Sequence, residues 1–470
     1  MTEQTERADV HLQAKSVSDD VGYDIRDRYR PGAGPVLVSG VQAIARLLVE
    51  QQVRDAKNGI RTGTFVSGYQ GSPLAGFDRL LASTPTLRSD YDIRLVPGLN
   101  EEIAATSVWG SQIELPVGTR THDSVVGVWY GKGPGLDRAT DALRHGNMYG
   151  AHPEGGVLML VGDDPGAKSS SIPCVSERSL AAMSIPTLYP RNGAEMVEFG
   201  LHAIALSRSS GCFVALKIIA DVADGLWTID SSTSDVEITV PDVEWDDKPW
   251  TYSQRFFKAP PDSVLAEADL LGPRWAMVEA YAAANALDAV EVAPANARIG
   301  IIAAGGAYDS MRQALVDLGL SDEDLRENGI RILRIGMIYP LSASRVHEFA
   351  DGLSDILVVE DKVPFLESQL REILYGATDS PRIQGKRASD GARLVPIDGE
   401  LTAARLAEPI RRALSPFVDL RRPLPPPLTL TPLEAKRTAY FCSGCPHNRS
   451  TAVPEGSIAG GGIGCHTLVT

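Results

Sequence analysis

From Leu37 onward, β-branched apolar runs alternate with stretches whose apolar residues recur every three or four positions, which predicts successive strand-then-helix units. The segment VSGVQAIARLLVEQQVRDAKNG has the helical spacing and stops at a glycine. GTFVSGY then reads as a strand running into a glycine-rich turn. SVVGVWYGKGPG, GGVLMLVGDD and FVALKIIADV are short apolar runs ending in Gly or Asp. Such runs suit strands buried on both faces of a parallel sheet, with their loops gathered at the carboxyl edge. In open α/β sheets that edge is where ligands bind.

A second series follows: ARIGIIAAGGAYDSMRQALVDLGL, then IRILRIGMIYPLS, then DILVVEDKVPFLESQLREILYG, each pairing a β-branched run with an amphipathic helix. The predicted fold class is therefore α/β, a doubly wound parallel sheet followed by a second α/β domain. The expected divisions are an N-terminal arm at 1–34, a first α/β domain at 35–235 and a connector at 236–289, mixed and rich in prolines and tryptophans. A second domain at 290–415 leads into a stiff proline-rich linker at 416–432, which contains RRPLPPPLTLTP, and then the start of a third module at 433–470.

Composition narrows the function classes. A chain of 470 residues exceeds what one hydrophobic core usually serves. The formal net charge of -15 argues against nucleic-acid phosphates and anionic membrane surfaces as partners, and favours small metabolites or proteins. No apolar stretch is long enough to span a bilayer, and the polar, acidic opening MTEQTERADVHLQAKSVSDD lacks the order of a signal peptide, so a cytoplasmic location is expected. The five cysteines do not suggest a disulfide framework. Cys174 and Cys212 read as isolated buried thiols.

The other three, Cys442, Cys445 and Cys465, form a C-x-x-C pair and a third thiol near the end of the sequence. Soft thiolates in that pattern suit zinc, with His447 or His466 as fourth ligand, or an iron–sulfur cluster lacking one cysteine. Elsewhere the candidates each have a plainer role. Ala303 to Ala307 reads as a tight strand-to-helix turn, without the glycine spacing of a dinucleotide fingerprint. Gly162-Asp163-Asp164 with Asn192 superficially matches a magnesium diphosphate anchor. An aspartate in the third position would repel the phosphates, so a helix cap or domain contact is the expected role. Glu101 and Glu102 fall in the first turn of a helix that Asn100 can cap. The turn Gly68-Tyr69-Gln70-Gly71-Ser72-Pro73 follows a strand and can present a hydroxyl to a carboxylate substrate.

Together, the strings GYQGSPLAGFD, PGLNEEIAA, GVWYGKGPGLDRATDALRHGN, LMLVGDDPGAKSSSIP, LVVEDKVPFLESQLREILYG and YFCSGCPHNRS resemble the indolepyruvate ferredoxin oxidoreductase family in its long fused form. This is a group of thiamine-diphosphate-dependent 2-oxoacid:ferredoxin oxidoreductases. The resemblance runs from about Pro35 onward. It implies a pyrimidine-binding domain, then a transketolase-C-terminal-like domain, then the start of a diphosphate-binding, iron–sulfur domain. It implies oxidative decarboxylation of aryl 2-oxoacids, with coenzyme A accepting the acyl group and ferredoxin the electrons.

Carried over by the resemblance, Glu101 would hydrogen-bond the aminopyrimidine ring, favouring the imino tautomer that removes the thiazolium proton. Ser72 would meet the substrate carboxylate, with Gln70 where a proline is often found. Cys442, Cys445 and Cys465 would be three ligands of a [4Fe-4S] cluster whose fourth ligand is missing from this chain. No Gly-Asp-Gly with a downstream asparagine follows the cysteine pair, so the anchor for Mg²⁺ and the diphosphate is missing as well. The chain is expected to be inactive alone, and to work as a homo-oligomer or with a companion polypeptide carrying the remaining domains. Two rival readings stay open: a thiamine-dependent lyase or transferase without redox chemistry, and a non-catalytic α/β scaffold with a zinc knuckle.

Overall fold

The computed structural model describes residues 24–420 and 440–469, except 33, 117, 169, 171, 231–235, 256–258 and 461–463. Most of the expected N-terminal arm, and the proline-rich linker from Arg421 to Pro432, therefore lie outside the described residues.

The strands come in the predicted order. They are β1 (Val36–Ser39), β2 (Thr62–Gly68), β3 (Ile93–Leu95), β4 (Ser124–Lys132), β5 (Val157–Asp163), β6 (Thr187–Leu188), β7 (Val214–Ile219) and β8 (Leu226–Ile229). A short hairpin, β9 (Val243–Trp245) and β10 (Lys248–Trp250), precedes β11 (Ala289–Val292), β12 (Ile299–Ala304), β13 (Ile330–Ile335), β14 (Met337–Tyr339), β15 (Asp355–Val359) and β16 (Arg382–Gln384). Seven strands form one sheet in the order β14-β6-β7-β5-β4-β2-β3, and five form another, β11-β13-β12-β15-β16. Within each sheet the pairings are parallel except at one edge, where β14 and β11 run antiparallel to their neighbours. The predicted α/β class with parallel sheets is what the chain adopts.

Local chemistry starts the first helix. Ser39 accepts from the Gln42 amide at 3.2 Å, while the Gln42 side chain accepts from the Ser39 amide at 2.9 Å, a reciprocal cap for the helix Gly40–Lys57. That helix packs against Gly193–Ser210 so closely that a Cβ at Gly200 would stand 2.1 Å from Leu47. The main core runs through both sheets, from Val36 and Ile44 to Val358 and Leu370.

One predicted unit divides. The run IRILRIGMIYPLS looks like a single strand, but it breaks at Gly336: β13 stays in the five-stranded sheet and β14 crosses to the edge of the seven-stranded one. A side chain at Gly336 would collide with the Leu287 carbonyl at 2.3 Å. The buried Asp288 carboxylate accepts from the Gly336 amide at 2.9 Å and the Met337 amide at 3.2 Å, pinning the crossing.

The connector also docks. The Tyr252 hydroxyl donates to the Ala151 carbonyl at 2.8 Å. Arg274, fully buried, donates to the carbonyls of Asn147 (2.8 Å), Met148 (3.1 Å), Ser210 (3.0 Å) and Gly211 (2.8 Å). These oxygens end the helices Gly133–Tyr149 and Gly193–Ser210, where carbonyls lack helical partners and the dipole is negative. One guanidinium thus caps two helices.

Two outcomes follow. Arg274→Met should cost on the order of 3–5 kcal/mol in urea unfolding of the whole chain, the scale of breaking a buried charged network. Arg274→Lys should recover less than half, because an ammonium lacks the planar fork. An unchanged unfolding midpoint for the Met variant would refute the double cap. His202, buried with its ring 3.0 Å from the Tyr281 hydroxyl, has its pKa held down to about 4 by burial, with the Arg54 charge adding to the effect. Unfolded, it titrates near pH ~6.5, so below that the unfolded chain binds the extra proton. The stability contributed by neutral His202 is present above pH ~6.5 and lost as the pH falls toward 4, about 3 kcal/mol in all. His202→Phe should flatten that limb of a stability–pH curve.

Candidate functional site

The connections reverse direction between β2 and β4: β3 lies outward from β2 on one side, while β4, β5 and β7 continue on the other. In such sheets the crevice outside the carboxyl ends of the two central strands is the place for a ligand. The loops that follow β2, β3, β4 and β5 meet there.

The loop after β3 ends in Asn100, whose side chain accepts from the Ile103 amide at 2.9 Å and starts the helix Glu101–Gly110. The Glu101 carbonyl accepts from the indole of the fully buried Trp129 on β4, at 3.1 Å. Glu101 therefore has its backbone fixed from two sides. Its half-buried side chain lies over Gly135, where a Cβ would stand 2.6 Å from both Cγ and Oε1. Gly135 belongs to the first turn of Gly133–Tyr149, so the carboxylate rests at the positive end of a second helix. At the same edge, Tyr69, Val96 and Leu99, with Ile103 on the helix, leave apolar surface exposed, Leu99 to 85 %.

Ser72 is half-buried in the turn after β2, at the same edge. The next residue, Pro73, packs over Gly162 at the end of β5. Lys132, at the end of β4, lays its side chain across Gly71, 3.1 Å from where a Cβ would be. Sequence reasoning missed Lys132. The signal was present in the GKGPG string, as a cation placed just before a helix start at a strand end.

The aspartate–asparagine pair has structural duties. Asp163 is fully buried and accepts from the Ser176 amide (2.9 Å) and hydroxyl (2.6 Å), with the Lys217 ammonium at 3.9 Å. Burial raises its pKa, against the pull of Lys217. Burial disfavours the Lys217 ammonium in turn, yet Glu177, Tyr189, Asp163 and Asp361 hold its pKa well above the ordinary value. Lys217 bonds Glu177 and stands 4.4 Å from the centre of the Tyr189 ring. Asn192 caps Gly193–Ser210 through the Glu195 amide at 2.9 Å. The turn at Gly305 has φ +49° and touches the Tyr189 ring, so it is closed to a phosphate.

Cys442 and Cys465 are exposed and Cys445 is half-buried, its sulfur 3.2 Å from His447 Nδ1. The His447 ring stacks on Phe441 (5.3 Å between centres) and lies near His466 (6.0 Å). The donors are of the right chemical type for an iron–sulfur cluster or zinc. Among the described residues, however, no three His, Cys, Asp or Glu side chains converge to hold a metal. The other half of the expected site fits better: a carboxylate on an anchored helix start, at an edge with exposed apolar side chains, suits a nitrogen-containing aromatic ring.

No helix among the described residues is long and apolar enough to cross a membrane. Residues 289–418 match the model of the indolepyruvate oxidoreductase domain. Over 92 % of its length the chain is 26 % identical to the indolepyruvate oxidoreductase subunit IorA of Thermococcus kodakarensis, and 24 % identical to that of Pyrococcus abyssi. It spans 62 % of the length of each of these relatives. The 2-oxoglutarate:ferredoxin oxidoreductase from Magnetococcus marinus, solved with 2-oxoglutarate, coenzyme A and succinyl-CoA bound, superposes with a TM-score of 0.56 at 14 % identity, covering 81 % of this chain and 65 % of that one. Along most of its length the chain is thus similar to the IorA subunits of indolepyruvate oxidoreductase, and it shares the fold of the 2-oxoglutarate:ferredoxin oxidoreductase.

Proposed function

We propose that this chain forms the pyrimidine-binding half of a thiamine-diphosphate-dependent oxidoreductase that decarboxylates aryl 2-oxoacids of the indolepyruvate type. The observation that carries the reading is Glu101, held by Asn100 and Trp129 at the switch point with its carboxylate over Gly135. When bound, thiamine diphosphate supplies the electron sink that decarboxylation of a 2-oxoacid requires. Glu101 accepts a hydrogen bond from the aminopyrimidine ring and so selects its proton arrangement. Tyr69, Val96, Leu99 and Ile103 exclude water from that ring once a covering domain closes over them. Ser72 donates its hydroxyl to the substrate carboxylate, and Lys132, packed across Gly71 in the same edge, offers the neutralising charge.

The covering domain also brings Mg²⁺ and the diphosphate anchor, since Asp163 and Asn192 are engaged elsewhere. It lies outside the described residues. Cys442, Cys445 and Cys465 would supply three thiolates to a [4Fe-4S] cluster, which would pass on single electrons. Coenzyme A would take the acyl group and ferredoxin the electrons, a reading that the likeness to the IorA subunits supports.

Purified chain alone, given indolepyruvate, coenzyme A and a viologen acceptor, should show no steady reduction. Sustained turnover would end the half-site reading. In the assembled enzyme Glu101→Gln should lower turnover by about 10²-fold or more without moving the thermal midpoint. Gly135→Ala should act the same way more weakly, by pushing the carboxylate aside. Full activity in Glu101→Gln would dismiss the assignment. Anaerobic iron and sulfide analysis of that assembly decides between redox chemistry and a non-redox lyase, which needs no cluster.

A further inference from the structure

At the amino edge of the seven-stranded sheet, remote from Glu101, the starts of β2, β3 and β4 part around an open cavity of about 460 Å³. That is within the range of small-molecule sites, about 300–1,000 Å³. Phe65 and Val125 give it an apolar floor, and Arg88, Arg94 and His122 line the polar side. The polar groups are under-used. Arg88 Nε is shielded from solvent and donates to nothing, and His122 Nε2 is likewise shielded without a hydrogen-bond partner. The one carboxylate in the lining, Asp92, lies 3.4 Å from His122 Nε2, not on the arginines. Gly63 faces the His122 ring at van der Waals distance, so the wall there is backbone and leaves the cavity wide. A smaller cavity of about 100 Å³ shares Ser111, His122 and Val125 with it.

Two guanidinium groups over an aromatic floor, in a chain of net charge -15, form a locally cationic recess with an apolar base. A guanidinium lining an open, partly apolar cavity is a ready partner for a carboxylate. Phosphate alone would leave the floor wet, whereas an organic acid covers both. We infer that this cavity binds a small monocarboxylic acid with a flat apolar body, its carboxylate on Arg88 and Arg94 and its ring on Phe65. The site is separate from the proposed coenzyme site. Glu101 opens the helix Glu101–Gly110, and Ser111 at its far end borders the cavity.

The test is calorimetric titration of the whole chain with phenylacetate, beside phenylacetamide and inorganic phosphate as comparators. Saturable phenylacetate binding is expected, weakened about tenfold or more in both Arg88→Ala and Arg94→Ala, the scale of one charged hydrogen bond. The neutral amide should not bind, and Glu101→Gln should bind phenylacetate as the parent does. Arg94 is exposed on an edge strand, so its variant remains informative even if Arg88→Ala folds poorly. No saturation by about 10 mM, a free energy weaker than about 3 kcal/mol, overturns the inference. So does binding of phosphate without phenylacetate, binding that both arginine variants retain, or binding lost in Glu101→Gln.

Discussion

A buried ammonium constrains where chemistry can happen in this molecule. Lys217 stands at the seam between the two sheets with 1 % of its side chain exposed, and a charge so placed persists only while anions stay beside it. Glu177 and Asp163 come from the loop side of β5, and Asp361 from the end of β15. Their carboxylates are therefore committed to holding the units together. The same seam is clipped at its rim, where Lys168 reaches Asp221 and Glu400, and Lys362 donates to the carbonyls of Pro165 and Gly399. With the loop after β5 tied down, the open part of the carboxyl edge is the part around β2, β3 and β4. Glu101, Ser72 and Lys132 lie there.

Glu101 joins two readings that looked exclusive. By local pattern it is an acid in the first turn of a capped helix, and Asn100 does cap that helix. The cap and the Trp129 indole hold the backbone that carries the carboxylate, and the bare Gly135 leaves room for it, so the side chain starts from one fixed place.

Much of the fold was legible because its signals are local. The runs at Val157–Asp163, Val214–Ile219 and Ile299–Ala304 are short, apolar and followed by turn residues, as buried strands are, and the three- and four-residue spacing in VSGVQAIARLLVEQQVRDAKNG announces the first helix. The split at Gly336 was not legible: its cause, the Leu287 carbonyl and the Asp288 carboxylate, is set by tertiary approach. Arg274 and Lys217 were invisible for the same reason, since nothing in their neighbouring residues says that four carbonyls or a ring of acids will surround them. The connector looked like passive chain because its anchors, Tyr252 and Arg274, find partners more than sixty residues away. Of the candidate site, Glu101 and Ser72 are proposed from motif strings, and Lys132 joins them through its place across Gly71.

The crossing of β14 has an evolutionary consequence. Since Met337–Tyr339 completes the sheet built by residues 62–219 while its flanking segments belong to the other one, the halves are interlaced. A gene split or a recombination event between them would strip a strand from one product and leave a bare sheet edge, an invitation to aggregation. Natural shuffling should therefore inherit the pair as one indivisible cassette, with breakpoints falling outside it.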